Sequence, residues 1–259
     1  MCAARKRTTF FHLNAHTFYH FVKNQKSSRK HRALQSKTIQ IAIIHVKYEE
    51  FKKPIFLSIP TKKFQQKNHI MSRTQPIAKT APEGLELATL AGGCFWCLEP
   101  AFAELKGVLD VECGYAGSDY ANANYEAVCT GNTGLAEVIH ILFDPQIISY
   151  ETLLQIFFVL HDPTTLNRQG NDIGTQYRSA IFTHHAAQNL TAQSMKNWVE
   201  QAIEQPVTTQ IEAFNPAQYT RAEGYHQEYF AHNPDNGYCQ MMIPNKLSKL
   251  RANFVQLLK

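Results

Sequence analysis

Long hydrophobic runs are missing from this chain. Its most apolar stretch near the start, residues 39–46, is interrupted by Gln40 and His45 and falls far short of the roughly 20 residues that span a bilayer. No secretory signal is visible, and with 6 cysteines in 259 residues a disulfide scaffold is not expected; the thiols should be free or catalytic. Glycine is absent from residues 1–70 and acidic residues nearly so: that segment holds 2 against 15 Lys and Arg, whereas residues 71–259 hold 19 against 11. The net charge of +5 therefore sums two unlike sequences and gives no ground for nucleic-acid binding. Neither a nucleic-acid partner nor a membrane is expected, and the protein is expected to be a monomer.

Sustained periodicity is also missing from residues 1–70. The segment fits an acid-poor targeting presequence, a basic nucleic-acid-binding arm with charge but no motif, or a stretch foreign to the natural protein. The last reading rests on Met71, which opens an ordinary-looking start where the composition changes. On each reading the segment is expected to be disordered. Residues 71–84 carry Pro76, Pro82 and Gly84 among polar residues and read as a linker, and residues 85–259 read as the catalytic domain. The expected location is the cytoplasm, or an organelle if residues 1–70 are a genuine presequence.

Within the domain, residue patterns predict strands over 85–91, 108–113, 136–143, 177–183 and 207–214. Helices are predicted over 98–105, with 100–105 as its core and Pro100 in the first turn, over 150–160, capped by Ser149, and over 184–204. The apolar face of the last is read as Leu190, Met195, Trp198 and Ile203. Residues 114–124 and 161–176 read as loops, 219–232 as helical or mixed, and 244–258 as a terminal helix. The order β-α-β-β-α-β predicts an α+β fold: a two-layer sandwich with a split βαβ (ferredoxin-like) core and peripheral C-terminal helices. A doubly wound parallel sheet is disfavoured because two successive strands lack a helix between them.

The most informative stretch is Gly92-Gly93-Cys94-Phe95-Trp96-Cys97, placed where the first strand hands over to the first helix. Two glycines allow a sharp turn that presents Cys94, and unpaired N–H groups at a helix start are expected to lower its pKa. Cys97 is close enough to trap whatever Cys94 becomes, and Phe95 and Trp96 can wall an apolar pocket. A Cys-x-x-Cys pair also suits half of a zinc site or a thioredoxin-type dithiol. Zinc needs about four ligands, and Cys2, Cys113, Cys129 and Cys239 supply no second close pair. No metal and no cofactor are expected. Glu137 shares its strand face with Ile139, Ile141 and Phe143, so its head is either at a wet rim or buried with a raised pKa, the second being a general acid. Tyr125 and Tyr177 read as packed core tyrosines or as donors to a polar oxygen, Asp172 as a turn cap, and His226 as more often structural.

The hexapeptide is not alone. Gly114-Tyr115-Ala116-Gly117, residues 124–129, Thr133-Gly134-Leu135-Ala136-Glu137, His161-Asp162-Pro163-Thr164-Thr165, residues 168–179 and Gly224-Tyr225-His226-Gln227 follow it in order. Together these blocks, over residues 85–245, resemble the A-type peptide methionine sulfoxide reductases. This chain has Leu135 where that family commonly has His, Ser118 where it has a second Gly, and Cys97 where many members carry Gly.

The resemblance implies reduction of methionine-S-sulfoxide, free or in oxidised proteins, and hence protein repair after oxidative stress. It implies Cys94 as nucleophile, Glu137, Tyr125, Tyr177 and Asp172 as the other catalytic residues, and Phe95 and Trp96 as the methyl pocket. The sulfenic acid formed on Cys94 condenses with a resolving thiol, and thioredoxin or a similar dithiol reduces the disulfide. Cys239, read as lying in a C-terminal loop, is favoured as first resolver over Cys97, because neighbouring motif cysteines must close a tight ring. Cys113 and Cys129 are read as inert thiols in core-like settings. A general dithiol oxidoreductase, a zinc-stabilised domain and a module that binds oxidised or exposed methionine without turnover are the alternatives; the first has no use for Glu137 in an apolar row beside two tyrosines, a metal assay separates the second, and stoichiometric rather than catalytic sulfoxide loss marks the third.

Overall fold

The structure is a computed structural model and describes residues 76–259; the readings of residues 1–70 and of Met71 lie outside them. In chain order the elements are β1 (Glu86–Gly92), α1 (Phe95–Ala103), β2 (Val108–Ala116), α2 (Tyr125–Cys129), β3 (Ala136–Phe143), α3 (Tyr150–Leu160), β4 (Arg168–Gln169), β5 (Asp172–Ile173), β6 (Ser179–Thr183), α4 (Ala186–Ile203), β7 (Gln210–Ala213), β8 (Tyr219–Arg221), α5 (Tyr229–His232) and α6 (Gly237–Phe254). Six strands form one sheet in the order β7-β6-β1-β3-β2-β8, and β4 and β5 form a separate hairpin. Pairing is antiparallel throughout the large sheet except between β6 and β7. This is a mixed sheet with helices, an α+β fold. The antiparallel pairing of β1 with both β3 and β6 rules out the doubly wound alternative.

β1 and β3 are central, so both their faces are covered and their residues are apolar almost without alternation. Helix α1 packs on β2 and β3, α3 packs on β1, and α6 lies against both helices. Caught between the sheet and its neighbours, α3 buries Leu153, Leu154, Ile156, Phe157 and Leu160 almost all round its circumference. Its start is set by Ser149, whose hydroxyl accepts from the Thr152 N–H at 3.1 Å, as the sequence predicts. The opposite face of the sheet carries small residues, Ala91, Ala116, Ala136 and Ala180, and is closed by Phe214 and Tyr219 from the returning chain.

Several expectations are corrected. α1 begins at Phe95 rather than Leu98, so Pro100 lies in its second turn instead of its first, where its missing N–H leaves the Trp96 carbonyl without its usual donor. β2 runs on through Gly114, Tyr115 and Ala116, expected in a loop, because they pair with Val138, Glu137 and Ala136 on one side and with β8 on the other. The loop at 161–176 contains the β4–β5 hairpin, and Tyr177 closes a short 3-10 turn instead of opening a strand. The buried face of α4 is Gln188, Ala192, Met195, Val199 and Ala202; Leu190 is 66% exposed. α6 begins at Gly237, with Pro244 inside it, because the Asn236 side chain accepts from the Tyr238 and Cys239 N–H groups. Cys239 is therefore buried in a helix rather than presented by a loop. Cys113 is buried as expected, but Cys129 is exposed at the end of α2.

Candidate active site

The turn between β1 and α1 requires both of its glycines. Gly93 has φ +90°, and a Cβ there would meet Gln169 Cγ and Cβ at 2.6 and 2.7 Å; a Cβ on Gly92 would meet the Phe157 ring at 2.8 Å. The chain can thus press against the 162–169 loop and place Cys94 as the N-cap of α1. Cys97 is then three residues on, the position that a capping-box side chain uses to reach its N-cap, and the two thiols are in hydrogen-bond contact.

The expected lowering of the Cys94 pKa is not found: it is raised well above that of an ordinary thiol, by burial first, then by hydrogen bonding with Cys97 and the nearby Glu137. The N–H groups of the helix start do not offset that burial. The Phe95 N–H, which was to favour a thiolate, is given to Glu137 Oε2 at 3.0 Å. The Cys97 N–H turns back to the Cys94 carbonyl at 3.1 Å. Cys97 is the thiol pulled down, chiefly by its hydrogen bond with Cys94 and, against burial, by the Lys246 ammonium.

Glu137 projects from β3 toward α1 and is 2% exposed. Burial pushes its carboxyl up to about 8, with Asp172 and Cys97 adding to the rise and the Phe95 N–H opposing it. It is the buried acid of the two sequence readings. It joins Cys94, Phe95, Trp96, Tyr125, Asp172, Tyr177 and Tyr238 around one cavity of about 160 Å³. That space suits the end of one side chain rather than the few hundred Å³ of a typical small-molecule site. Tyr125 opens α2, and Tyr177 ends its 3-10 turn. Burial raises both phenol pKa values, so both hydroxyls stay protonated as donors. Asp172, from β5, accepts from the Tyr238 hydroxyl at 2.7 Å.

A family model described as Peptide methionine sulfoxide reductase matches residues 86–257. The peptide methionine sulfoxide reductase MsrA of Polynucleobacter asymbioticus is 51% identical over 176 residues, covering 67% of this chain and 92% of that protein. The chain belongs to the A-type peptide methionine sulfoxide reductases. A second such enzyme, from Nitratiruptor, is 51% identical over 174 residues, covering 67% of this chain and 99% of its own. Among solved structures, the reduced form of Mxr1 from Saccharomyces cerevisiae is similar, with TM-score 0.59 and 34% identity over 63% of this chain and 94% of that one. The protein is thus a methionine sulfoxide reductase, an oxidoreductase.

Every residue that the sequence assigned to the reductase's pocket lines it, and the resolving candidates stand behind it. Cys97 is buried on α1, and Cys239, 0% exposed, is on α6. Sequence reasoning missed Tyr238. The signal was Asn236, a strong cap residue: a helix starting there turns Tyr238 toward the pocket and Cys239 away from it. His226 has a structural place: its Nδ1 accepts from Trp96 Nε1 at 3.1 Å, and the indole is clamped between this bond and the Tyr229 ring, stacked at 3.9 Å and 10°. Sequence reasoning also missed Lys246, on α6: burial lowers its pKa, and the neighbouring Cys97, Cys94 and Asp172 oppose that. Among the described residues no group of three or more His, Cys, Asp or Glu is arranged to hold a metal ion, and no helix is long and apolar enough to cross a membrane.

Proposed function

We propose that this reductase takes the S epimer of methionine sulfoxide, free or within an oxidised protein, and moves its oxygen to Cys94. The observation that carries this reading is Glu137, a buried carboxyl that holds its proton to about pH 8 beside Cys94 at the floor of an aromatic pocket. Phe95 and Trp96 take the substrate methyl. Tyr125 and Tyr177 donate to the sulfoxide oxygen, and Asp172 holds Tyr238 in the wall. Glu137 lends its proton to the oxygen and recovers one from the Cys94 thiol. The substrate S–O bond breaks, an S–O bond to Cys94 forms, methionine leaves, and Cys94 has become a sulfenic acid. The split βαβ, ferredoxin-like reading of the core is supported by the order β6-β1-β3-β2, with α1 and α3 as its two crossovers.

For recycling, the placement of the thiols favours Cys97, not Cys239, as first resolver. Cys97 touches Cys94, whereas Cys239 has Cys97 as its charged neighbour. The Cys97 thiolate attacks the Cys94 sulfenic sulfur, hydroxide leaves and is protonated to water, and a Cys94–Cys97 disulfide forms. Cys239 then attacks the Cys97 sulfur and frees Cys94 as a thiolate. The Cys97–Cys239 disulfide is left for an external dithiol, thioredoxin or a protein like it, and the enzyme serves protein repair.

The test is single-turnover release of methionine from the reduced enzyme, on S and R substrates separately, without external dithiol. The freed Cys94 reacts again, so about two equivalents are expected from S and none from R, falling to about one in Cys239→Ser. Product from R equal to that from S refutes the epimer assignment, and one equivalent from both wild type and Cys239→Ser removes Cys239 from the relay. Cys94→Ser should release none.

A further inference from the structure

Outside the groups that touch the sulfoxide, one carboxylate gathers an unusual set of donors. Glu223, between β8 and the turn at Gly224–His226, accepts the Tyr125 N–H on Oε1 at 2.8 Å. Its Oε2 accepts the Tyr115 hydroxyl at 2.9 Å and faces His226 Nε2 at 3.6 Å. Burial works against its charge, but these hydrogen bonds prevail and hold the carboxyl below the usual range, so it is ionised at neutral pH. His226 is fully buried and its Nδ1 accepts from Trp96, so its one ring proton belongs on Nε2; among the described residues that nitrogen has no acceptor within hydrogen-bond distance, and the Glu223 carboxylate faces it at 3.6 Å. Burial lowers the imidazole's pKa and Glu223 opposes that.

We propose that Glu223 is a positioning residue, one carboxylate that fixes both the oxygen-donor side and the methyl side of the pocket. On the donor side it caps α2, a helix of five residues that has no stability of its own. The Asn124 side chain holds the Ala127 N–H at 2.9 Å, and Glu223 holds the first N–H of the helix, that of Tyr125 itself. The cap therefore sets where the Tyr125 ring stands, 6.5 Å from Trp96 and 4.6 Å from His226. On the methyl side Glu223 acts on the Trp96 indole electrostatically, through the His226 ring 3.6 Å away. An amide nitrogen in place of Oε1 would meet the Tyr125 N–H, and in place of Oε2 it would face the His226 N–H and force the Tyr115 hydroxyl to turn its proton away. The proposal rests on the reductase reading for its kinetic consequence and on the hydrogen-bond geometry for its spectroscopic one.

The experiment is a double-mutant cycle with a spectroscopic readout on the same full-length proteins. Glu223→Gln is expected to slow single-turnover methionine release by about 10- to 100-fold, the cost of misplacing a group by a fraction of an ångström to an ångström. In a Tyr125→Phe background the same change is expected to cost only a few-fold, because the hydroxyl that it displaces is gone. In protein carrying 15N-tryptophan, the Trp96 indole N–H resonance should move in Glu223→Gln while that of Trp198 stays. Should Glu223→Gln not fold, Glu223→Asp, which draws the carboxylate back by one methylene, is carried through the same cycle. Equal fold-losses in the two backgrounds, or an unmoved Trp96 resonance, overturn the proposal. The spectrum requires no turnover, so a chain inactive on both epimers would refute the reductase reading and leave Glu223 to be judged on the indole shift.

Discussion

Replacing Glu137 by Gln should slow the reductase and stabilise it at once. In the folded protein the carboxyl keeps its proton until about pH 8, against 4.5 for an ordinary glutamate. Between those values the folded chain binds a proton that the unfolded chain has lost, so stability falls as pH rises through the window and is level above it. At about 1.4 kcal/mol per pH unit, the wild type loses roughly 5 kcal/mol across the window and has lost about 3 by pH 7. Gln cannot ionise, and its carbonyl can still accept the Phe95 N–H, so Glu137→Gln lacks this slope. The buried imidazoles of His140, His161 and His184, pushed down to about 3, 4 and 4, add an acid-side slope of their own. That slope is common to both proteins and cancels in their difference. Urea unfolding of the two at a series of pH values between about 4.5 and 8 measures it; the variant should gain on the wild type progressively as pH rises. Single-turnover methionine release should fall by about 10²–10⁴ in the variant, the usual cost of losing a general acid. Parallel stability profiles would show that the carboxyl is not held protonated by burial, and an undiminished rate would show that its proton is not used.

Gly93→Ala should cost about 1–3 kcal/mol of stability through its positive φ, with more from displacing Gln169, whose amide holds both the Asp162 N–H and carbonyl; a melting temperature equal to that of the wild type would remove the strain argument. Lys246→Met should leave the first methionine equivalent intact but slow Cys94–Cys97 disulfide formation at neutral pH and move its pH dependence upward, because an ammonium that lowers the Cys97 pKa is gone. Thiol titration after a single turnover follows that step, and an unmoved profile would mean that the ammonium does not serve Cys97.

Where the sequence speaks through local chemistry, it was legible. β3 runs over the predicted residues, Ser149 caps α3, and the row Glu137, Ile139, Ile141, Phe143 faces the helices as alternation requires. It was less legible where a distant partner decides. Gly114–Ala116 looks like loop until two strands pair with it. Cys94 at a helix start reads as a thiolate until the fold buries it and Glu137, 42 residues beyond Phe95, takes the Phe95 N–H. Tyr238 carries no signal of its own, because its role depends on Asp172, 66 residues earlier in the chain. Pro244 reads as a helix start because prolines favour first turns, yet the Asn236 cap sets the beginning of α6 earlier.

The bond from the Phe95 N–H to Glu137 joins the residue next to the proposed nucleophile with the proposed acid across the β3–α1 contact. β3 is held in place by its neighbours: Glu137 lies opposite Tyr115 on β2, and Ile139 lies opposite Leu90 on β1. A slip of β3 by one residue would bring Val138 under Cys94 and turn the carboxyl to the far face of the sheet. Such a molecule could keep its helices and most of its buried area and still have no proton to give. Burst titration of a refolded preparation would therefore count correctly registered molecules, where a far-ultraviolet spectrum would count all folded ones alike.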